Sequence, residues 1–239
     1  MKKIYKSNIE NMSVIEHLEE LRIRLFYAFT IFCIITLLCL IYSKNISFIL
    51  EKPALGIKFL QLAPGEYIFV SIKMSLYLGI ILSSPFTLYQ IIKFILPGLT
   101  DKEAKYILPT LIGSIFLFFV GIFFSYQILI PAALKFLVNY GSDIVEPIWS
   151  FEEYFNFILL LCFSTGIAFQ IPVIQILLGL FNILTSSRML EYWKYIIFIS
   201  TILGAILTPS TDPITQIFMS FAILTLYFSG ILILKTLKK

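Results

Sequence analysis

Residues 17–43 read HLEELRIRLFYAFTIFCIITLLCLIYS, a charged segment followed directly by a long apolar run. The last charged residue is Arg24, and residues 25–43 contain no Asp, Glu, Lys or Arg. A bilayer core about 30 Å thick needs about 20 residues of α-helix to cross it. The sequence therefore predicts a membrane-spanning helix at 25–43.

The rest of the chain repeats this pattern. Five further windows contain no Asp, Glu, Lys or Arg: 74–92, 106–134, 154–187, 195–211 and 213–234. Of the 239 residues, 59% are hydrophobic and 13% are charged, whereas soluble domains average about 45–50% and about 25%. Such a chain has too few charges to cover a soluble globular surface, and intrinsic disorder requires the opposite composition. We therefore expect an all-α membrane protein with six transmembrane helices.

We expect the bundle to be one polytopic membrane domain over residues 1–239, with an amphipathic segment at 1–24. The predicted spans are approximately 25–43, 68–92, 107–130, 153–178, 193–207 and 214–234. Prolines within spans 2 to 4, among them Pro85 and Pro172, remove backbone hydrogen bonds and bend helices unless neighbours supply a substitute. A bundle of bent helices is concave.

The fifth span is short. Its charge-free helix runs from Tyr195 to Leu207, roughly 20 Å at 1.5 Å per residue, before the turn at Pro209. A span of this length needs a thinned bilayer or cover from the rest of the protein. The long connections at about 44–67 and 131–152 contain prolines and glycines, and we expect them to form structured caps over the outer face.

The basic residues predict the orientation, because Lys and Arg concentrate on the cytoplasmic side of membrane proteins. If the N-terminus is inside, only five of the 18 lysines and arginines lie outside, namely Lys44, Lys52, Lys58, Lys73 and Lys135. Both termini should therefore face the cytoplasm or its equivalent. The N-terminal segment has the composition of neither a transit peptide nor a secretory signal, so we expect synthesis in that compartment.

The inventory of reactive residues excludes several functions. The chain has one histidine, His17, and its cysteines, Cys33, Cys39 and Cys162, lie in apolar windows without a CxxC spacing. No pair of intramembrane histidines exists to hold haem or zinc, and no span has a carboxylate at its centre. We therefore expect neither a cofactor nor an enzyme activity, and no nucleic-acid binding, since a dense basic patch is absent.

Two features could carry a function. Gln170 is a polar side chain within a span, just before Pro172; its amide can also simply bond to a neighbouring helix or to the carbonyl that Pro172 leaves free. Glu20 forms an i,i+4 pair with Arg24, and with Glu103 it would supply two carboxylates at the inner interface. Two carboxylates can bind two guanidinium groups in a planar fork, although surface acids are usually only solvated.

Several motifs, in order along nearly the whole chain, resemble the TatC family, the multispanning subunits of the twin-arginine protein translocase. They are 17–25 (HLEELRIRL), Ser84-Pro85, Tyr89-Gln90, 94–99 (FILPGL), Glu103, Gly121 with Phe124 and Tyr126, 166–173 (GIAFQIPV), 207–209 (LTP), Asp212 and Gln216. The resemblance implies six helices in a cupped bundle with inside termini and short fifth and sixth spans.

The resemblance also implies a function. In this family the protein is the receptor for signal peptides that carry an Arg–Arg pair on folded cargo. It then recruits single-span partner subunits, and the transmembrane proton gradient drives transport. We expect homo- and hetero-oligomers in contact with membrane lipid. A secondary transporter of small solutes is the alternative, but it would require inverted repeats with interrupted helices in matching positions.

Site residues follow from the same resemblance. For signal-peptide binding they are Glu20, Glu103, Phe94, Arg22, Pro97 and Leu99. Gln170 and Pro172 are expected at an intramembrane polar cavity. Structural or partner-contact roles are expected for Pro53, Pro85, Gly121, Tyr126, Pro209, Asp212 and Gln216. Glu19 matches no motif position of this kind and is expected to be solvated.

One difference from the pattern of the bacterial family members indicates the source of the protein. Many bacterial members have Glu where this chain has Gln170, whereas plastid members tend to have Gln. With 24 Phe, 13 Tyr and no transit peptide, this favours a plastid-encoded protein of the thylakoid membrane. A bacterial cytoplasmic membrane is the alternative.

Overall fold

A computed structural model describes residues 14–54, 56–95, 101–141, 148–181, 183–208 and 212–236. This part of the chain consists of ten α-helices and one pair of short strands. In chain order they are α1 (Val14–Ile41), α2 (Ser43–Glu51), β1 (Lys58–Leu60), α3 (Glu66–Ile95), α4 (Asp101–Phe124), α5 (Ile130–Gly141), β2 (Ile148–Ser150), α6 (Phe151–Ala168), α7 (Ile171–Leu180), α8 (Ser186–Glu191), α9 (Trp193–Leu207) and α10 (Pro213–Thr236).

Six helical segments of the described chain form the bundle. Five are long and apolar enough to cross a membrane: Ile15–Ile41, Glu66–Phe94, Lys105–Tyr140, Phe151–Leu180 and Pro213–Thr236. The remaining one, α9, is apolar but has only 15 residues, roughly 22 Å. The expected six-helix membrane bundle with a short fifth helix is confirmed. We call the end at which α1 begins and α10 ends the inner end, and the opposite end the outer end.

The sixth helix is not short, and that part of the prediction is wrong. Helix α10 has 24 residues, roughly 36 Å. It begins immediately after the turn, because Asp212 caps it and Pro213 already has the backbone angle of a first helical residue. It continues past the charge-free window, because the long side chain of Lys235 can carry its ammonium group to the interface.

The amphipathic N-terminal segment and the first span form a single helix. Helix α1 has 28 residues, and between Val14 and Ile41 there is no glycine or proline to end it. It packs mainly along α3. The contact is close at Gly79, where a Cβ would lie 3.2 Å from the Phe32 ring. Most of the other surface of α1 is exposed and apolar, as expected for a helix that faces lipid.

Prolines act differently in the second and fourth spans. Pro85 lies within the continuous helix α3 and cannot donate to the carbonyl of Ile81. The Ser84 hydroxyl donates to that carbonyl at 2.7 Å, so the lost bond is replaced. In the fourth span the helix is interrupted between α6 and α7, and Pro172 occupies the first turn of α7.

The third helical run extends beyond the predicted end at 130. A π-helical turn, Ser125–Leu129, joins α4 to α5, and the Ile130 amide donates to the carbonyl of Ser125. Pro131 follows directly and has no N–H to donate to a carbonyl of the preceding turn. The π turn therefore occurs where proline already interrupts the regular helical hydrogen bonds. Helix α5 then continues to Gly141 as part of the outer cap.

The outer cap consists of α2, a 3-10 turn that contains Pro53 (Lys52–Ala54), α5, and the parallel strands β1 and β2. Two tyrosine hydroxyls fix α2 to the bundle. Tyr126 donates to the carbonyl of Ile49 at 2.6 Å, and Tyr154 donates to that of Leu50 at 2.8 Å. These carbonyls belong to the last turn of α2 and have few partners within the helix.

The main core lies in the outer half of the bundle. Its buried side chains come from α3, the π turn, α5, α6 and α10, and include Val70, Met74, Leu129, Ile130, Phe155, Ile158, Leu161 and Met219. A smaller cluster joins the inner ends of α7, α8 and α10 around Ile176, Met189 and Leu234. No core cluster among the described residues fills the space between α1, α3 and α4, and the bundle is concave there.

Candidate functional site

A cavity of about 900 Å³ occupies this concave side. It lies between α1, α3, α4 and the fourth span, and we call it the inner groove. Apolar walls come from α1 through Leu25, Phe26, Phe29 and Phe32 and from the facing helices through Ile80, Leu88, Phe118 and Phe163. A groove of this kind suits an extended apolar ligand, because it removes apolar surface from water without requiring specific hydrogen bonds.

A strip of polar side chains runs through the inner groove. It comprises Ser83, Ser84, Thr87, Ser114 and Gln170. The hydroxyls of the first three donate to carbonyls of their own helix, α3. The Gln170 amide donates to the carbonyl of Ser114 at 3.1 Å, so it links the break in the fourth span to α4. Gln170 thus lines the groove and also makes an interhelical bond.

The first turns of α1 carry an ionic cluster. Both Nε and a terminal nitrogen of Arg24 donate to the same carboxylate oxygen of Glu20, Oε1; the Nε bond is 3.1 Å. The expected i,i+4 pair is therefore present. The other oxygen, Oε2, lies 3.7 Å from Nδ1 of His17 and is buried without a hydrogen-bond partner among the described residues. Glu20 therefore has one oxygen paired with Arg24 and one buried oxygen without a hydrogen-bond partner among the described residues.

His17 connects this cluster to the end of α3. Its ring stacks on Phe94 with 4.2 Å between ring centroids and 15° between the planes. The stacking holds the start of α1 against the end of α3, next to Glu20. We did not assign His17 to the site from sequence, although its i,i+3 spacing from Glu20 was a visible signal.

Other residues expected at the signal-peptide site have more varied positions. Arg22 lines the mouth of the inner groove and forms an exposed ion pair with Glu19 at 3.3 Å. Glu103 belongs to the first turn of α4, but its side chain lies outside the described part of the structure. Pro97 and Leu99, and also Pro209, lie outside the described residues.

Gly121 lies where α4 crosses the fourth span. A Cβ on Gly121 would come within 2.8 Å of the Phe169 ring, and a Cβ on Gly166 within 2.8 Å of the Phe118 ring. Each glycine thus accommodates a phenylalanine of the facing segment, and the two contacts are reciprocal. Since Phe118 also lines the inner groove, this packing fixes one wall of the cavity.

Asp212 and Gln216 lie at the outer turn between α9 and α10. Asp212 is only 2% exposed, and its Oδ2 accepts from the amide of Thr215 at 2.8 Å and from the Thr215 hydroxyl. Both donors belong to the first turn of α10. Gln216 donates to the Thr201 carbonyl of α9 at 3.4 Å, and so ties the two helices together.

Two polar groups near the outer end, one buried and one partly exposed, were not recognised from sequence. Glu66 is 3% exposed and accepts from the amides of Leu62, Ala63 and Glu152. Lys73 of α3 donates to Glu152 at 3.3 Å and to Asn156 at 2.8 Å. The contacts of Glu66 and Lys73 with the start of α6 join residues about 80 positions apart in the chain, so no local pattern indicates them.

Comparisons with known proteins match nearly the whole chain. The family model "Sec-independent protein translocase protein (TatC)" matches residues 16–221. An uncharacterized TatC-like protein of Gracilaria tenuistipitata var. liui is 68% identical over 228 residues, which cover 95% of this chain and 96% of that one. The chloroplastic Sec-independent translocase protein TATC of Oryza sativa subsp. japonica is 48% identical over 92% of this chain and 62% of its own. A crystal structure of the twin-arginine translocase receptor TatC superposes with a TM-score of 0.78 at 35% identity, covering 93% of this chain and all of that one.

Proposed function

The chain belongs to the TatC family of Sec-independent protein translocase subunits, and we propose that it is the receptor for twin-arginine signal peptides. It is a multi-pass membrane protein of a plastid or bacterial membrane, and its family is one of translocase receptors rather than of enzymes. The observation that carries the proposal is the position of Glu20, a partly buried carboxylate on α1, the helix that also forms one apolar wall of the inner groove.

The two parts of this site match the two parts of a signal peptide. Secretory signals combine a positively charged segment with an apolar segment of about 7–15 residues. In the proposed complex the carboxylates at the inner end bind the arginine pair, and the apolar walls of the inner groove bind the segment that follows. The described lining of the groove has one basic side chain, Arg22, at its mouth, and its deeper part is uncharged.

Glu20 has the geometry to bind one arginine of the pair. Its Oε2 has no hydrogen-bond partner among the described residues, so an incoming guanidinium can donate there without first displacing Arg24 from Oε1. The stacked rings of His17 and Phe94 restrict the position of this oxygen. We propose that Glu103, in the first turn of α4, binds the second arginine, with Pro97 and Leu99 supporting the connection between α3 and α4.

Replacement of the carboxylates tests this proposal. Glu20→Ala and Glu103→Ala should each weaken precursor binding by about 1.5–3 kcal/mol, the value of a hydrogen bond to a charged group, or about 10- to 150-fold in Kd. Binding can be measured with the purified protein in nanodiscs and a fluorescent precursor. Glu19→Ala is the matched control, since Glu19 is exposed and should leave Kd unchanged.

The signal peptide itself gives a second test. A Lys–Lys precursor should bind at least tenfold more weakly than an Arg–Arg precursor, because lysine cannot form the planar two-bond contact with a carboxylate. Equal binding of the two precursors by the unmodified protein would refute recognition by carboxylates.

The wider function follows the family. We propose that the chain recruits single-span subunits of the same pathway, forms homo- and hetero-oligomers, and transports folded proteins by using the proton gradient. We also propose that it resides in the thylakoid membrane with both termini in the stroma. Protection of both termini from protease added to the lumenal side of thylakoid vesicles would agree with this topology, whereas cleavage of either terminus would contradict it.

The structure does not favour a secondary transporter. Such proteins place interrupted helices at equivalent positions of two repeats. Here the interrupted span, α6 with α7, and the short span α9 are consecutive in the chain. They therefore do not form a pair related by a repeat.

A further inference from the structure

A second cavity, of about 320 Å³, lies between α7, α8, α9 and α10 near the inner end. We call it the lateral pocket. Its walls are mainly apolar and aromatic and include Leu178 of α7, Ile196 and Ile199 of α9, and Tyr227 of α10. It is separate from the inner groove, with which it shares no lining residue.

Gln175 is the polar feature of the lateral pocket. The residue is 5% exposed, and neither Nε2 nor Oε1 has a hydrogen-bond partner among the described residues. Its amide fits against α10 because residue 230 is a glycine, where a Cβ would collide with Oε1. A buried amide without partners is strongly disfavoured, so this geometry indicates a group that is supplied from outside the chain.

Water and protein groups are poor candidates for that partner. The Tyr227 hydroxyl already donates to the Met189 carbonyl at 2.9 Å. A trapped water needs two to four polar partners, and the described lining offers little beyond the Gln175 amide. Since Oε1 packs against Gly230 and the other walls are apolar, the partner that fits is an apolar molecule with a hydrogen-bond acceptor for Nε2.

The residues around the lateral pocket indicate which polar group the bound molecule carries at its end. Exposed aromatic side chains, Tyr192, Trp193 and Tyr195, lie at its inner edge, and such residues mark the level of lipid headgroups. The described charged residues at the inner ends of α8, α9 and α10 are Arg188, Lys194 and Lys235 against one carboxylate, Glu191. Basic sites between transmembrane helices bind anionic headgroups.

We propose that the lateral pocket binds an anionic glycerolipid of the inner leaflet. One acyl chain occupies the apolar walls, an ester carbonyl accepts from Nε2 of Gln175, and the headgroup lies beside Arg188 and Lys194. Gln175 precedes the end of α7 at Leu180 by five residues, roughly 8 Å, which places its amide below the headgroup level. This inference does not depend on signal-peptide binding at the inner groove.

Lipid retention measured by native mass spectrometry tests the proposal. The purified protein is exchanged into detergent containing equal amounts of dioleoylphosphatidylglycerol and dioleoylphosphatidylcholine. We expect the wild-type protein to retain phosphatidylglycerol at least fivefold over phosphatidylcholine. Gln175→Leu should lower retention at least fivefold, whereas the control Gln127→Leu, on the exposed side of the π turn, should leave it unchanged.

A second pair of variants separates headgroup from chain contacts. Arg188→Gln combined with Lys194→Gln should remove the preference for phosphatidylglycerol, and Lys135→Gln, at the outer end, should preserve it. Equal retention of the two lipids by the wild-type protein would overturn the proposal, as would full retention by Gln175→Leu.

A steric variant covers the case in which Gln175→Leu does not fold. Ile196→Trp fills the lateral pocket, whereas Ile202→Trp adds the same side chain to an exposed position of the same helix. Loss of bound lipid in Ile196→Trp alone supports the pocket, and equal retention in both overturns it.

Discussion

The two carboxylate oxygens of Glu20 have different surroundings, and this difference determines how the residue can act. Oε1 accepts two bonds from Arg24 on the same helix, a contact that the i,i+4 spacing predicts. Oε2 lies near Nδ1 of His17, and the His17 ring in turn stacks on Phe94 at the far end of α3. The sequence therefore predicts the ion pair at Oε1. It does not predict the surroundings of Oε2, because these form only where α1 meets the end of α3.

Arg24 occupies an acceptor that an incoming arginine could also use. Arg24→Gln should therefore tighten precursor binding by about two- to fivefold, since an i,i+4 ion pair of this kind contributes about 0.3–1 kcal/mol. Competition binding with an Arg–Arg precursor measures the change. A tenfold loss of affinity would instead show that Arg24 holds Glu20 in its binding position.

Gln170 belongs to the inner groove and to the contact between α4 and the fourth span. Gln170→Leu leaves the Ser114 carbonyl without this donor and should lower stability by about 1 kcal/mol. Gln170→Glu should be tolerated if the groove contains water, because the carboxylate can then ionise or bind a proton. A cysteine at position 170 reports the environment: labelling only by a lipid-confined reagent, and not by a water-soluble one, would contradict a wet groove.

At the scale of helices, charge-free windows predicted the crossings well because the bilayer imposes a minimum length on them. They predicted helix ends less well. Helix α1 begins at Val14, well before its window, and the third run continues through the π turn into α5. Helices end at caps, glycines and prolines, not where charges start. The contacts of Glu66 and Lys73 with α6 were missed because they join segments remote in sequence.

Gly121 and Gly113 form a matched pair on α4. Gly121→Ala should destabilise the bundle by about 1–3 kcal/mol, because the added methyl group would meet the Phe169 ring in an already filled space. At Gly113 nothing lies within 4 Å of an added Cβ, so Gly113→Ala should be neutral or stabilise α4 by up to about 1 kcal/mol. Thermal unfolding in detergent measures both. Equal effects would mean that the glycine–phenylalanine contacts do not control this packing.

The whole molecule divides into a packed outer half and an inner half that is open on the side of α1, α3 and α4. The main core, the tyrosine contacts to α2 and the capped turn before α10 all lie toward the outer end. The inner groove and the Glu20 cluster lie at the middle and inner end. This division predicts that a defect in the outer turn affects assembly and leaves recognition at the inner end intact.

Asp212→Leu tests that division. The variant removes the acceptor for the Thr215 amide and should cost about 1–2 kcal/mol of stability, as lost helix caps do. Asp212→Asn keeps an acceptor and is the matched control. We expect Asp212→Leu to bind an Arg–Arg precursor within twofold of wild type while association with single-span subunits and transport decrease. If a correctly inserted Asp212→Leu lost precursor binding as completely as Glu20→Ala, the outer turn would have to be coupled to the inner groove, because no described contact of Asp212 reaches the groove directly.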